Sequence, residues 1–307
     1  NTATMTGAVV LAGNVTFDSD GAADNSLSFS STIDSADATD RNLGFTTDGG
    51  SITISGDIGA TNDLATLDIN QASGAGTVTI DDLGGANSGV RGITRIGNAN
   101  TASITLNGST YKTTGAQTYN ASAGTVILGG GASSTTTIST TGATDSDDIT
   151  FSSQVHDTGD NPSLVVNAPG SAGVIVSAAV GAGVNNLEAL TISGADTASL
   201  QAVTTDGSQS ITTTNGATLN GTMTINGVSS STDAFSVGNV TLGAGIQVVN
   251  SGGEDADDVT FSGTITGGTN LLNIDVATNG DATFSGVGTG VGALTVDADT
   301  ITLDAAM

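Results

Sequence analysis

The sequence predicts an all-β chain wound as a parallel β-helix, a β-solenoid with turns rich in Gly, Asp and Asn. Three observations carry this. One phrase occurs three times: Leu27, Phe29 and Ile33 return as Ile149, Phe151 and Val155, and again as Val259, Phe261 and Ile265. The 307 residues include 45 Gly, 2 Pro, no Trp and only 3% aromatics, so the core must be thin and filled by Val, Ile, Leu and Ala. Short apolar segments recur about every 15 to 25 residues, the scale of a solenoid coil. Within them polar and apolar residues alternate, as in Thr77-Val78-Thr79-Ile80.

The elements of the repeat follow in a fixed order. A small apolar step comes first, at 9–13, 126–130 and 240–244. An acidic stretch follows, then the phrase itself. A second apolar segment lies at 51–54, 173–176 and 281–284, a third at 64–69, 187–192 and 291–296, and a fourth at 77–80, 198–200 and 300–303. Leu11 to Leu128 is 117 positions and Leu128 to Leu242 is 114. The expectation is one continuous solenoid over 1–307, with super-repeats of about five coils at approximately 9–125, 126–239 and a truncated 240–307. Coils of about 22 residues give roughly 14 coils and a rod of about 65 to 70 Å.

Disorder is the first competitor, since net charge is high and Gly and Ser are common. A mean hydropathy of +0.13 and the patterned apolar residues argue against it. Helix formers other than Ala are scarce. The rival fold is an array of immunoglobulin-like sandwiches, because pairs such as Asn107-Gly108, Asn215-Gly216 and Asp206-Gly207 favour hairpins. Missing Trp, strands of three to five residues and corner-forming Gly, Asn and Asp favour the solenoid.

Four basic residues stand against 30 acidic ones, a net charge of −26. That excludes a basic footprint for nucleic acid and argues against direct membrane insertion or binding to anionic lipid. No Cys and no long apolar run occur. Such composition suits an extracellular or cell-surface setting. The chain begins at Asn1, and the third unit stops at Met307 part way through. The expectation is a segment of a longer repetitive chain or a subunit that stacks head to tail on itself.

The acidic stretches are the candidate sites. Asp18, Asp20 and Asp24, then Asp145, Asp147 and Asp148, then Glu254, Asp255, Asp257 and Asp258 place several carboxylates in turns. Oxygen-rich turns suit calcium, although no cofactor is required and no complete calcium loop is present. The competing reading is solvated turn acids, because Asp is common in turns without any metal. His156 beside Asp157 and Asp160 has the residue types of a general base; an exposed turn residue is the simpler reading, and the chain is expected not to be an enzyme. Thr-x-Thr patterns invite an ice-binding alternative, but no regular row at one coil position is visible; a carbohydrate-binding β-solenoid adhesin is a further alternative.

The runs 113–120 and 192–196, and the Gly-x-Gln phrases Gly115-Ala116-Gln117 and Gly207-Ser208-Gln209, resemble the repeat regions of large bacterial surface exoproteins and adhesins of the filamentous-haemagglutinin type. The resemblance implies a right-handed parallel β-helix serving as a stalk that extends from a cell and presents a tip.

Overall fold

The computed structural model is a parallel β-solenoid. It describes residues 2–19, 25–71, 74–131, 133–181, 186–227, 233–251, 257–276, 279–286 and 288–304. Among these residues there are 33 strands and no helix, and the strand pairings are all parallel. The sandwich alternative, built on antiparallel hairpins, is thereby overturned. The Asn-Gly pairs turn corners instead; Gly216 and Gly227 take positive φ of 112° and 49° there.

Each coil contributes one strand position to each of three faces. Face 1 stacks Leu27, Ile52, Val78, Ile104, Val126 and Val155 in register. It continues through a bridge at Val180 to Val203, Met223, Val248, Ile274 and Val296. Face 2 runs from Val9 and Ile33 through Ile58, Leu83, Tyr111 and Ile138 to Phe261, Phe284 and Leu303. Face 3 runs from Phe17 and Phe45 through Ile69, Ile96, Tyr119 and Phe151 to Leu242. Two long strands, Leu190–Leu200 and Gln209–Leu219, bend around the corner between faces 2 and 3 and join those sheets. Their register slips between Ile192 and Thr197, where the chain turns.

The coils are longer than expected. Successive face 1 partners are 20 residues apart at Val203 and Met223 and 29 apart at Val126 and Val155. The extra residues lie in corner turns such as 141–148. The face 1 ladder advances twelve times from Ala3 to Val296, fewer than the 14 coils expected, which gives a length of about 55 to 60 Å.

Alternation sorts the side chains. In Thr77–Ile80 the two Thr face outward, half-buried, and Val78 and Ile80 are fully buried. The few aromatics are spent on the lumen: Phe29, Phe45, Tyr111, Tyr119, Phe151, Phe235, Phe261 and Phe284 are buried. They stack along the axis, Tyr119 on Phe151 at 5.1 Å and Phe261 on Phe284 at 5.6 Å with rings 4° apart.

The repeated phrase is out of phase with the faces. Its first copy, at Leu27, lies on face 1; the second, at Ile149, on face 3; the third, at Val259, on face 2. Fourteen strand positions separate Leu27 from Ile149, and fourteen separate Ile149 from Val259. With three positions per turn, each copy advances four and two-thirds turns and reappears one face away.

Candidate functional site

That phase separates the three acidic turns. Asp18 ends the strand Val15–Asp18, exposed, before the corner from face 3 to face 1. Asp145, Asp147 and Asp148 lie between faces 2 and 3, and Asp257 and Asp258 between faces 1 and 2. Asp20, Asp24, Glu254 and Asp255 lie outside the described residues. The described candidate carboxylates are thus on three corners of the rod and do not converge.

Each described turn has local work for its acids. Asp147 accepts hydrogen bonds from the Thr144 backbone N–H at 3.0 Å and the Thr144 hydroxyl at 2.6 Å, closing the turn on itself. Asp145 is exposed. Asp148 Oδ1 accepts from the Gly173 N–H, one coil further on, at 2.7 Å. Asp258 Oδ1 accepts from the Asp281 N–H at 3.0 Å. The equivalent residue of the first copy, Ser26, accepts from the Ser51 N–H at 3.0 Å. Asp257 is buried; its Oδ1 accepts from the Asp233 N–H at 3.0 Å and its carbonyl from Asn250 Nδ2 at 2.9 Å. These acids tie one coil's backbone to another. Among the described residues no three His, Asp or Glu side chains are grouped so that they could hold a metal ion.

Other acids cluster away from the three candidate turns. At the corner between faces 1 and 2, Ile58 and Leu83 stack, which puts Asp57 and Asp82 in adjacent coils. Burial, then Asp82 and Asp34, raise the Asp57 carboxyl above its ordinary value. Asp81 is raised by burial and by Asp82 and Asp57. Glu188 is raised by burial and by Asp233 and Asp206. Asn161 and Asn186 donate to the Asp206 carboxylate at 3.0 and 2.8 Å. Two of the basic residues are paired with other acids: Arg91 with Asp63 at 2.9 Å and Asp40 at 3.4 Å, and Arg95 with Asp68 at 3.1 Å.

The Gly-x-Gln phrases form matching buried corners. Gln117 Nε2 donates to the Ser139 carbonyl at 2.7 Å, and Gln209 Nε2 to the Thr224 carbonyl at 2.7 Å. In each, the preceding Thr, Thr113 or Thr205, donates to the carbonyl of Gly115 or Gly207 at 2.5 Å. His156 Nδ1 lies 2.7 Å from the Asp157 carbonyl oxygen, and Asp157 Oδ2 accepts from the Asn161 N–H at 2.6 Å.

A row absent from the sequence pattern emerges on the outside of face 1. Thr2, Ser26, Ser51, Thr77, Ser103 and Thr125 occupy one register position on consecutive coils. A second row, two residues on, holds Thr4, Ser28, Thr53, Thr79 and Thr105. Thr77 Oγ1 donates to Ser51 Oγ at 2.9 Å along the first row. Coils of unequal length hide both rows in the linear sequence.

On face 3, an open groove of about 360 Å³ lies over Gly44, lined by Asn14, Thr16, Asn42, Thr46, Thr66 and Gln71. No long apolar helix capable of crossing a membrane occurs among the described residues. Compared with protein families, with curated proteins and with solved structures, the chain matches none.

Proposed function

We propose that the chain is an extracellular structural protein, a subunit or segment of a surface filament or adhesin stalk like those of filamentous-haemagglutinin-type exoproteins. The observation behind this is the uninterrupted stacking of three parallel faces along one axis, a shape that spans distance. The partner is more of the same fold: a second copy stacked head to tail, or flanking repeats of a longer chain. At the first coil the inward-facing Met5 is 39% exposed, and at the last Ile301 and Leu303 are 47% and 56% exposed. Strands there carry open edges that another coil would pair. Electron microscopy of the purified chain is the test: filaments support stacking, and rods of single-chain length alone refute it.

Calcium or a similar cation is proposed as an accessory that screens the charge of −26 at turns such as Asp145–Asp148. Chelator should then lower melting temperature or shorten filaments; no change in either rejects the proposal. A second reading, a face that orders water or ice, is favoured by the two hydroxyl rows on face 1. Thermal hysteresis is its signature, and freezing identical to that of a buffer control rejects it.

A further inference from the structure

We infer that the groove over Gly44 is a binding site for a neutral, hydroxyl-rich ligand of the saccharide class. The starting point is Gly44 itself. The outward row of face 3 runs Thr16, Gly44, Asp68, Arg95, Thr118 and Thr150. It continues as Ile175, Ser199, Thr218, Thr241, Thr266 and Thr289. Gly44 is the one position of that row without a side chain, and it lies inside the six-residue strand Arg41–Thr46.

Nothing in the backbone requires Gly there. Its φ lies outside the left-handed region. The three atoms nearest an added Cβ all belong to the Thr16 side chain, with Oγ1 at 3.0 Å and Cγ2 at 3.3 Å, so a side chain here requires Thr16 to give way by a few tenths of an ångström but meets no backbone among its nearest neighbours. By contrast, a Cβ on Gly50 or Gly76 would lie 2.0 or 1.8 Å from a backbone oxygen. Gly inside a strand weakens it, and it often marks a bulge, a bend or a place where a ligand or another backbone approaches closely; the register slip of this strand falls at Arg41–Asn42, not at Gly44, which leaves close approach.

The walls fix the ligand class. Asn14 Oδ1 accepts from the Asn42 N–H at 2.9 Å, and the Thr66 hydroxyl donates to Asn42 Oδ1 at 3.1 Å, so these side chains are held in place. Carboxamides and hydroxyls offer both donors and acceptors, which is what a sugar hydroxyl needs. The one carboxylate at the rim, Asp68, is paired with Arg95 at 3.1 Å. A cation therefore meets no cluster of carboxylates, and an anion meets a chain of charge −26. The volume, about 360 Å³, is within the range of small-molecule sites, about 300–1,000 Å³.

The test uses cello-, malto-, galacto- and chito-oligosaccharides as probes against the whole chain, followed by calorimetry and by amide shifts of Thr16, Gly44 and Thr66. The variant is Gly44→Thr, which matches the rest of the row. The expected result is millimolar or tighter binding of at least one probe, weakened at least about tenfold in Gly44→Thr. The variant should melt close to the parent, because the gain from Thr as a strand residue offsets the small shift it forces on the exposed Thr16 side chain. Three results overturn the site: no probe binds, binding is unchanged in Gly44→Thr, or the variant melts well below the parent and so reveals a structural role for Gly44. None of these bears on filament formation, which is read separately by microscopy.

Discussion

Replacing Phe261 by Ala should unravel one end of the rod and leave the other intact. Phe261 is fully buried on face 2, between Phe235 at 5.7 Å and Phe284 at 5.6 Å. Deleting a buried Phe side chain costs about 3–5 kcal/mol through lost transfer energy and the cavity left behind. Two ring contacts, each worth about 0.5–1.5 kcal/mol, place this site toward the upper end. In a solenoid each coil touches only its neighbours, so the loss is not shared over the whole chain. Among the described residues only Phe284 and Leu303 follow Phe261 on its face. The coils beyond it should open as a unit, while the ladder from Ile52 to Val126 keeps its stability. Hydrogen exchange read by segment is the assay. Protection should fall steeply from about residue 246 onward and be unchanged in the strands Ile52–Ile54 to Thr125–Leu128. An even loss of protection along the chain, or no loss at all, refutes the reasoning.

Asp258→Ala removes the acceptor for the Asp281 N–H and should cost about 1–3 kcal/mol in urea unfolding, whereas Asp145→Ala, at an exposed position, should stay within about 0.5 kcal/mol. Gly59→Ala should cost at least about 2 kcal/mol, because Gly59 has φ +67° and a Cβ there lies 2.1 Å from the Gly89 carbonyl oxygen. Asp57→Asn should stabilise the fold at neutral pH by a few tenths to about 1 kcal/mol, the scale of like charges stacked across strands. The sign follows from the raised carboxyl of Asp57: the folded chain holds that proton more tightly than the unfolded one. Its stabilising contribution is therefore complete below the ordinary carboxylate pKa and is lost as pH rises through the raised one. The advantage of Asp57→Asn should shrink as pH is lowered through that window, and melting curves across it check this.

The strands were legible because burial in a narrow lumen imposes period two. Thr77–Ile80 and Ile149–Phe151 announce themselves by alternation alone. Coil length was less so. Corner turns such as 141–148 carry extra polar residues with no periodicity to count, and the number of coils was overestimated. The phase of the repeat lies deeper still. That Leu27, Ile149 and Val259 occupy three different faces depends on how many strand positions intervene, and positions such as Ile58 and Val180 are single bridges with no strand signature. The acids of the candidate turns were visible, but their partners were not: Gly173 and Asp281 come beside Asp148 and Asp258 only after a full coil. Gly44 was one Gly among 45 until its neighbours on face 3 showed that every other position in its row bears a side chain.

Electron cryo-microscopy of the purified chain tests the central claim most directly. The account predicts unbranched, three-sided filaments longer than one chain's rod of about 55 to 60 Å, with an axial repeat of about 4.8 Å from stacked strands. Separate particles of single-rod length would contradict the head-to-tail assembly, and filaments without the strand repeat along the axis would contradict the stacking of parallel coils from which it is argued.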